Sequence, residues 1–159
     1  MSLGASSASQ AFEEACSYAK NQNIILVAAA GNDSAQEPGF PAAFDTVIAV
    51  GAADKKDRHA YFSNLNPDIT APGVDITSSY INGSYATASG TSMAAPHVTG
   101  TMALAYSMPN DKDIEQVLLE TAENIGNIEE FGAGMVRADL LTEKLSRKTL
   151  YQLVKAAVW

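Results

Sequence analysis

Two nearly unbroken apolar runs interrupt a chain that otherwise mixes apolar and polar positions: NIILVAAAGN, opening at Asn23, and TVIAVGA, over 46–52. Runs of this length that end near glycine predict strands buried on both faces, as in a parallel sheet covered by helices. Ahead of the first run, Ala8, Ala11, Phe12, Ala15 and Ala19 recur at helical spacing over 6–21, with serines to cap the start and Asn21 near the stop. Helix followed by buried strand predicts an α/β architecture, a parallel β-sheet with helices on both faces.

Turn formers fill DSAQEPGFPAAFD between the two strands. A polar loop over 54–60 follows, then short extended pieces around YFSN and DITAPG. VDITSSY and SYATASG flank Ile81-Asn82-Gly83, and Asn-Gly between extended runs is a hairpin signal. The span 91–107 reads as an apolar helix closed by Pro109. Over 111–122 an amphipathic helix is expected, capped by Asp111 or Asp113, with Ile114, Val117, Leu118 and Thr121 inward. FGAGMV reads as a glycine-rich turn into a short strand, and 137–145 as a helix. The organisation expected is one unit over 1–145 and a tail, 146–159, forming a packed terminal helix.

Composition narrows the function. At 159 residues, 47% hydrophobic and 18% charged, the chain suits one globular domain with a core. Its net charge is −8, and the basic cluster Lys55-Lys56 with Arg58 is flanked by Asp54 and Asp57. A nucleic-acid partner is therefore not expected. The longest apolar run is too short to span a membrane, and the first residues lack a signal-peptide pattern, so no membrane partner is expected either. Cys16 is the only cysteine, so no internal disulfide can form. It shares a helical face with Phe12, Ala15 and Ala19 and reads as a small buried thiol.

The chemistry concentrates in YATASGTSMAAPHVTG, residues 85–100. A glycine-marked loop feeds an almost uncharged helix, which puts Ser92 in the first turn. Unpaired N–H groups and the positive end of the helix dipole favour developing negative charge there. Ser92 could be a nucleophile, or Thr91 or Ser92 could simply cap the helix. Pro96 has no N–H, so the Ser92 carbonyl loses its ladder partner. Other glycine stretches carry less: AAAGND lacks the dinucleotide spacing, GTSMA lacks the second glycine of a hydrolase elbow, and FGAGMV lacks a phosphate-loop lysine. A nucleophilic serine needs a base, and the chain has only His59 and His97. His97, five residues on, points about 140° away on a helix and reads as a packing or hydrogen-bonding residue. His59, in the charged loop, reads as a solvated surface histidine. Residue by residue, Ser92 has no base.

SGTSMAAPHVTG resembles the serine motif of the subtilases, G-T-S-M-[AS]-x-P-H-V-[ATS]-G, at every motif position. The surroundings agree in order. MSLG is similar to the substrate strand and VAAAGN to the segment with the oxyanion asparagine; PGFPAAFDTVIAVGA, YFSN, DITAPGVDI and GAGMVRADL are similar to the family's later segments. The resemblance covers 1 to about 145 and implies a subtilisin-like three-layer fold, here incomplete. It implies a serine endopeptidase with Ser92 as nucleophile and Asn32, with the Ser92 N–H, donating to the oxyanion. Ser2, Leu3 and Gly4 would pair with the substrate backbone. Ala29, Ala30 and Gly31 would wall the specificity pocket with Gly39 at its base, an open pocket for large side chains, and Asp33 at the rim would tolerate a basic one. The Phe40–Pro41 bond would be cis. No cofactor is required; the carbonyls of Ala42, Phe44 and Val47, beside Asp45, match a weak cation site for calcium or sodium. Secretion is the family default, which makes an extracellular location the expectation.

In subtilases the D-[ST]-G and H-G-T-H segments with the catalytic aspartate and histidine precede the substrate strand. This chain begins at that strand. The resemblance thus implies the C-terminal half of a catalytic domain, inactive alone. Its buried-strand runs 24–27 and 47–50 would need cover from the N-terminal half or from a second copy. The alternative from a different class is a non-catalytic pseudoprotease module that binds peptides or a partner.

Overall fold

A computed structural model of the chain describes residues 1–109 and 111–146. Of the expected tail helix, 146–159, all but the first residue lie outside the described residues. Ser9 opens helix α1 (Gln10–Asn21), its hydroxyl accepting the Phe12 N–H at 3.3 Å. Ser6 and Ser7 stay outside, so the helix starts later than its apolar spacing suggests. After it, Asn23 takes a left-handed turn and the Ile24 N–H folds back onto the Ala19 carbonyl at 3.1 Å.

Strands β1 (Leu26–Ala29), β2 (Val47–Ala53) and β3 (Ile69–Pro72) form a parallel sheet in the order β1-β2-β3. Val27 pairs with Ile48, and Val50 with Ile69. The central β2 is buried along its whole length, which accounts for its continuous apolar run. Strand periodicity splits the core in two. Ala28, Val47 and Ala49 face Cys16 and Phe12 of α1 and Phe44. Val27, Ala29, Ile48 and Val50 face the other way, onto Ala94, Ala95, Val98 and Met102. The last four lie on helix α2 (Thr91–Tyr106). Helices therefore cover both faces, as the sequence predicts. One strand expectation is corrected: Ile24 is 52% exposed, because the turn that closes α1 holds it outside the ladder.

The intervening hairpin is β4 (Ile76–Ser79) against β5 (Tyr85–Ala88), antiparallel. Asn82 and Gly83 both have positive φ, 57° and 69°, the conformation that an Asn-Gly hairpin turn requires. Helix α3 (Ile114–Glu120) is shorter than its amphipathic span; Asp113 is its cap, accepting from the N–H groups of Glu115 and Gln116. A short α4 (Ile128–Phe131), which the apolar pattern does not signal, precedes the glycine-rich turn. The turn lays 134–136 along the outer edge of β3, with Thr70 N–H to Gly134 and Val136 N–H to Thr70, both 2.9 Å. Residues 138–146 are helical and bury Leu141 and Leu145.

Candidate active site

The first residues form one wall of a cleft. Met1 lies along β1: its ammonium donates to the Val27 carbonyl, and its own carbonyl accepts from Ala29 at 3.0 Å. Burial there lowers the pKa of that ammonium. Ala5 exchanges two backbone hydrogen bonds with Phe40, at 2.8 and 2.9 Å. Between these pins the backbone of Ser2, Leu3 and Gly4 is exposed and, among the described residues, unpaired. An extended peptide can therefore be added along it. The opposite wall comes from 29–39. The cavity between them has a volume of about 1050 Å³. Ser2, Leu3, Gly4, Ala29, Ala30, Gly31, Asn32, Gly39 and Ser92, the residues expected from the sequence to act on or bind substrate, lie on this one cavity.

Thr91 organises its centre. The Thr91 backbone N–H donates to Asn32 Oδ1 at 2.9 Å, and its hydroxyl donates to the same oxygen at 3.0 Å. That hydroxyl also accepts the Gly31 N–H at 3.2 Å. With Oδ1 doubly bound, the Asn32 amide can only present its Nδ2 protons elsewhere. Among the described residues neither Asn32 Nδ2 nor the Ser92 N–H has an acceptor. Both border the cavity, at the positive end of a sixteen-residue helix. The carbonyl that Pro96 frees is also used: Ser2 Oγ donates to the Ser92 carbonyl at 2.9 Å. The exposed segment 2–4 and the helix turn carrying Ser92 are thus joined directly.

Neither histidine borders this cavity. His97 is exposed, with Nδ1 2.8 Å from the Met93 carbonyl of its own helix. His59 departs from its solvated reading. It bridges to Ala53 at the end of β2 and stands edge-on to Phe131, with Nε2 buried and without a partner among the described residues. The bridge draws the residue against the sheet, which loop composition cannot reveal. The cavity rim is acidic, with Asp33 and Glu37 on it and no lysine or arginine.

The Phe40–Pro41 bond is cis. Of the carbonyls matched to a cation, that of Phe44 already accepts the Val47 N–H at 2.9 Å. Asp45 borders a separate polar cavity with Glu13 and Thr46. The donors are all oxygen, the type that calcium or sodium takes. No group of three or more acidic, histidine or cysteine side chains placed to hold a metal ion is present among the described residues.

One residue at the cavity escaped the sequence reading. Asn64, 2% exposed, sends its amide into the loop after β1. YFSN reads as an extended piece similar to a family segment, and nothing local in it distinguishes a buried asparagine from a turn asparagine.

Comparison with known proteins fits this geometry. The sequence profile described as "Subtilase family" matches residues 1–135. Alkaline elastase YaB of Bacillus sp. (strain YaB) is 41% identical over 147 residues, covering 89% of this chain and 39% of that protein. Subtilisin BL of Lederbergia lenta is 37% identical over 147 residues, covering 89% of this chain and 55% of that protein. Among solved structures, the self-cleaved protease domain of PatA superposes with a TM-score of 0.82 at 32% identity, covering 92% of this chain and 60% of that one. The chain therefore spans about two fifths to three fifths of the relatives it matches.

Proposed function

The chain belongs to the subtilase family, and on that premise we propose that it supplies the nucleophile, the oxyanion donors and part of the substrate cleft of a subtilisin-type serine endopeptidase. One observation carries this reading: Thr91 holds Asn32 by its oxygen, which leaves the Asn32 amide and the Ser92 N–H unpaired on the same cavity. A peptide lies extended along 2–4, and Ser92 Oγ attacks its carbonyl carbon while a base takes the hydroxyl proton. The carbonyl oxygen becomes an oxyanion that accepts from Asn32 Nδ2 and Ser92 N–H. The C–N bond then breaks, the amine leaves with the proton, and water hydrolyses the ester on Ser92. A subtilisin asparagine is the reference case for such a donor, whose removal costs about 10²–10³ in turnover.

No cofactor enters this chemistry. The base and its orienting acid must come from outside these 159 residues, since both histidines lie away from Ser92. Alone, the chain hydrolyses no peptide at a Ser92-dependent rate. A chromogenic peptide assay comparing it with Ser92→Ala should give equal background rates; clear Ser92-dependent turnover would overturn this division of roles. The absence of a histidine at Ser92 also supports the second reading, a non-catalytic peptide-binding module. That reading requires peptide binding along 2–4 and no gain of activity with any other part of the protein.

The partner is a peptide or protein substrate, together with a covering element. Pro96, Leu104 and Tyr106 on α2, and Tyr80, Ile81 and Tyr85 on the hairpin, are exposed. A helix apolar all round normally has cover on every side. The N-terminal half of the catalytic domain, or a second copy, fills that role. Light scattering that gave a clean monomer without apolar-dye binding would sink it. The family supports an extracellular location. A structural calcium or sodium ion at the carbonyls of Ala42, Phe44 and Val47, beside Asp45, would raise the melting temperature on addition of either salt and leave the chemistry alone.

A further inference from the structure

The chemistry above makes no use of Asn64, yet this side chain is one of the most engaged polar groups in the molecule. Its Nδ2 donates to the Ala30 carbonyl at 3.0 Å. Its Oδ1 accepts the N–H groups of Asp33 at 2.9 Å and Ala35 at 3.1 Å. The Asn64 N–H donates to the Gly31 carbonyl at 3.1 Å. These contacts bracket Asn32 on both sides, just past the last backbone bond to β2, from the Ala30 N–H to the Val50 carbonyl at 3.0 Å. Gly31 has φ +115°, and a Cβ there would come within 2.4 Å of Asn64 Nδ2. Loop and amide are therefore fitted to each other.

We infer that Asn64 is a positioning residue: it fixes the backbone from which Asn32 aims its amide into the cavity. The inference rests on the reading of Asn32 as an oxyanion donor. A donor of that kind must be held within about 0.5 Å of its productive place. Thr91 fixes the far end of the Asn32 side chain, and Asn64 fixes the backbone at its root. The task needs one donor and two acceptor lone pairs at one buried point, which an amide supplies. A carboxylate lacks the donor, and a serine hydroxyl is too short to replace both ends.

The test uses the 159-residue chain and a peptide p-nitrophenyl ester, whose leaving group needs no protonation; solvent hydroxide takes the Ser92 proton in place of a histidine, so the Ser92-dependent ester rate reports oxyanion stabilisation. Asn32→Ala should lower the ester rate at least tenfold. Asn64→Ala should lower kcat about as much with KM unchanged, and add less than twofold in the Asn32→Ala background. Asn64→Asp should be impaired at neutral pH and recover on acidification, when its protonated carboxyl can donate to Ala30; Asn32→Ala should show no such recovery. Equal losses from Asn64→Ala with and without Asn32 would make Asn64 merely structural and overturn the inference. If Asn32→Ala leaves the ester rate unchanged, the oxyanion reading fails, and NMR decides the positioning claim. Asn64→Ala must then shift and broaden the Asn32 side-chain amide pair while the β3 amides stay put. Unmoved Asn32 signals would overturn it.

Discussion

The loop 30–35 and the hairpin 76–88 are both short, rich in small residues and close to the start of α2, yet they are built on opposite terms. In the loop, Ala30, Gly31, Asp33 and Ala35 are bound by Asn64, Ser34 by Tyr61 and Phe62, and Asn32 by Thr91. The hairpin bonds mainly to itself, through its ladder and a 2.8 Å contact between the Thr77 and Thr87 hydroxyls. Its Tyr85 is 78% exposed. A two-stranded hairpin is marginal in water without a packed face. The groups that would meet a reacting carbonyl are thus organised within this chain, whereas the hairpin leaves Tyr80, Ile81 and Tyr85 exposed among the described residues.

The largest effect should come from attacking the held loop. Gly31→Ala forces a side chain into a positive-φ position and against Asn64, and should cost about 2–4 kcal/mol by strain and overpacking together. Urea denaturation measures it; a loss under about 1 kcal/mol would show that the loop yields and the contrast is false. Thr91→Val comes next. It leaves the Gly31 N–H unpaired and removes one of two bonds to Asn32, at about 1–2 kcal/mol. In the same titration, Tyr85→Ser on the hairpin should stay within about 0.5 kcal/mol and reduce apolar-dye binding. A cost like that of Thr91→Val would mean the hairpin is already packed.

The smallest effect is electrostatic and lies on neither side. Burial raises the Asp68 pKa, and the nearby Asp45 charge adds to this, against a 2.7 Å hydrogen bond from the Ala49 N–H. The folded state then holds its proton to higher pH than the unfolded chain, so Asp68 costs stability as pH rises from its ordinary value of 3.8 through the raised one. Asp68→Asn should remove that downward slope in melting temperature. An unchanged slope would assign it elsewhere. Asp54 and Asp139, held down to about 2 by Arg58 and Arg137, act with the opposite sign at lower pH.

How much of this was legible depended on whether the determinant was local. The β2 run, the Asn82-Gly83 turn, the Asp113 cap and the burial of Ile114, Val117 and Leu118 follow from residues within a few positions of each other. Ser92 and Asn32 stood out because they lie in recognisable motifs, and both line one cavity. The hidden features depend on distant partners. Asn64 acts across about thirty positions. His59 is set by its bridge to β2, and Ile24 by a turn that closes the preceding helix. Helix α4 had no apolar periodicity to announce it, being four residues long.

The two faces of the sheet have different histories during synthesis. The face that meets Cys16 and Phe12 finds its helix already made, since α1 precedes β1. The face that meets Val98 and Met102 waits for α2, which ends 77 residues after Ala29 (106 − 29). At about 5–20 residues per second, the ribosome leaves that side of β1 uncovered for roughly 4–15 s. A nascent chain in that interval presents Val27, Ile48 and Val50 in a row to whatever holds emerging polypeptides, and a translational pause between residues 53 and 91 would lengthen the exposure.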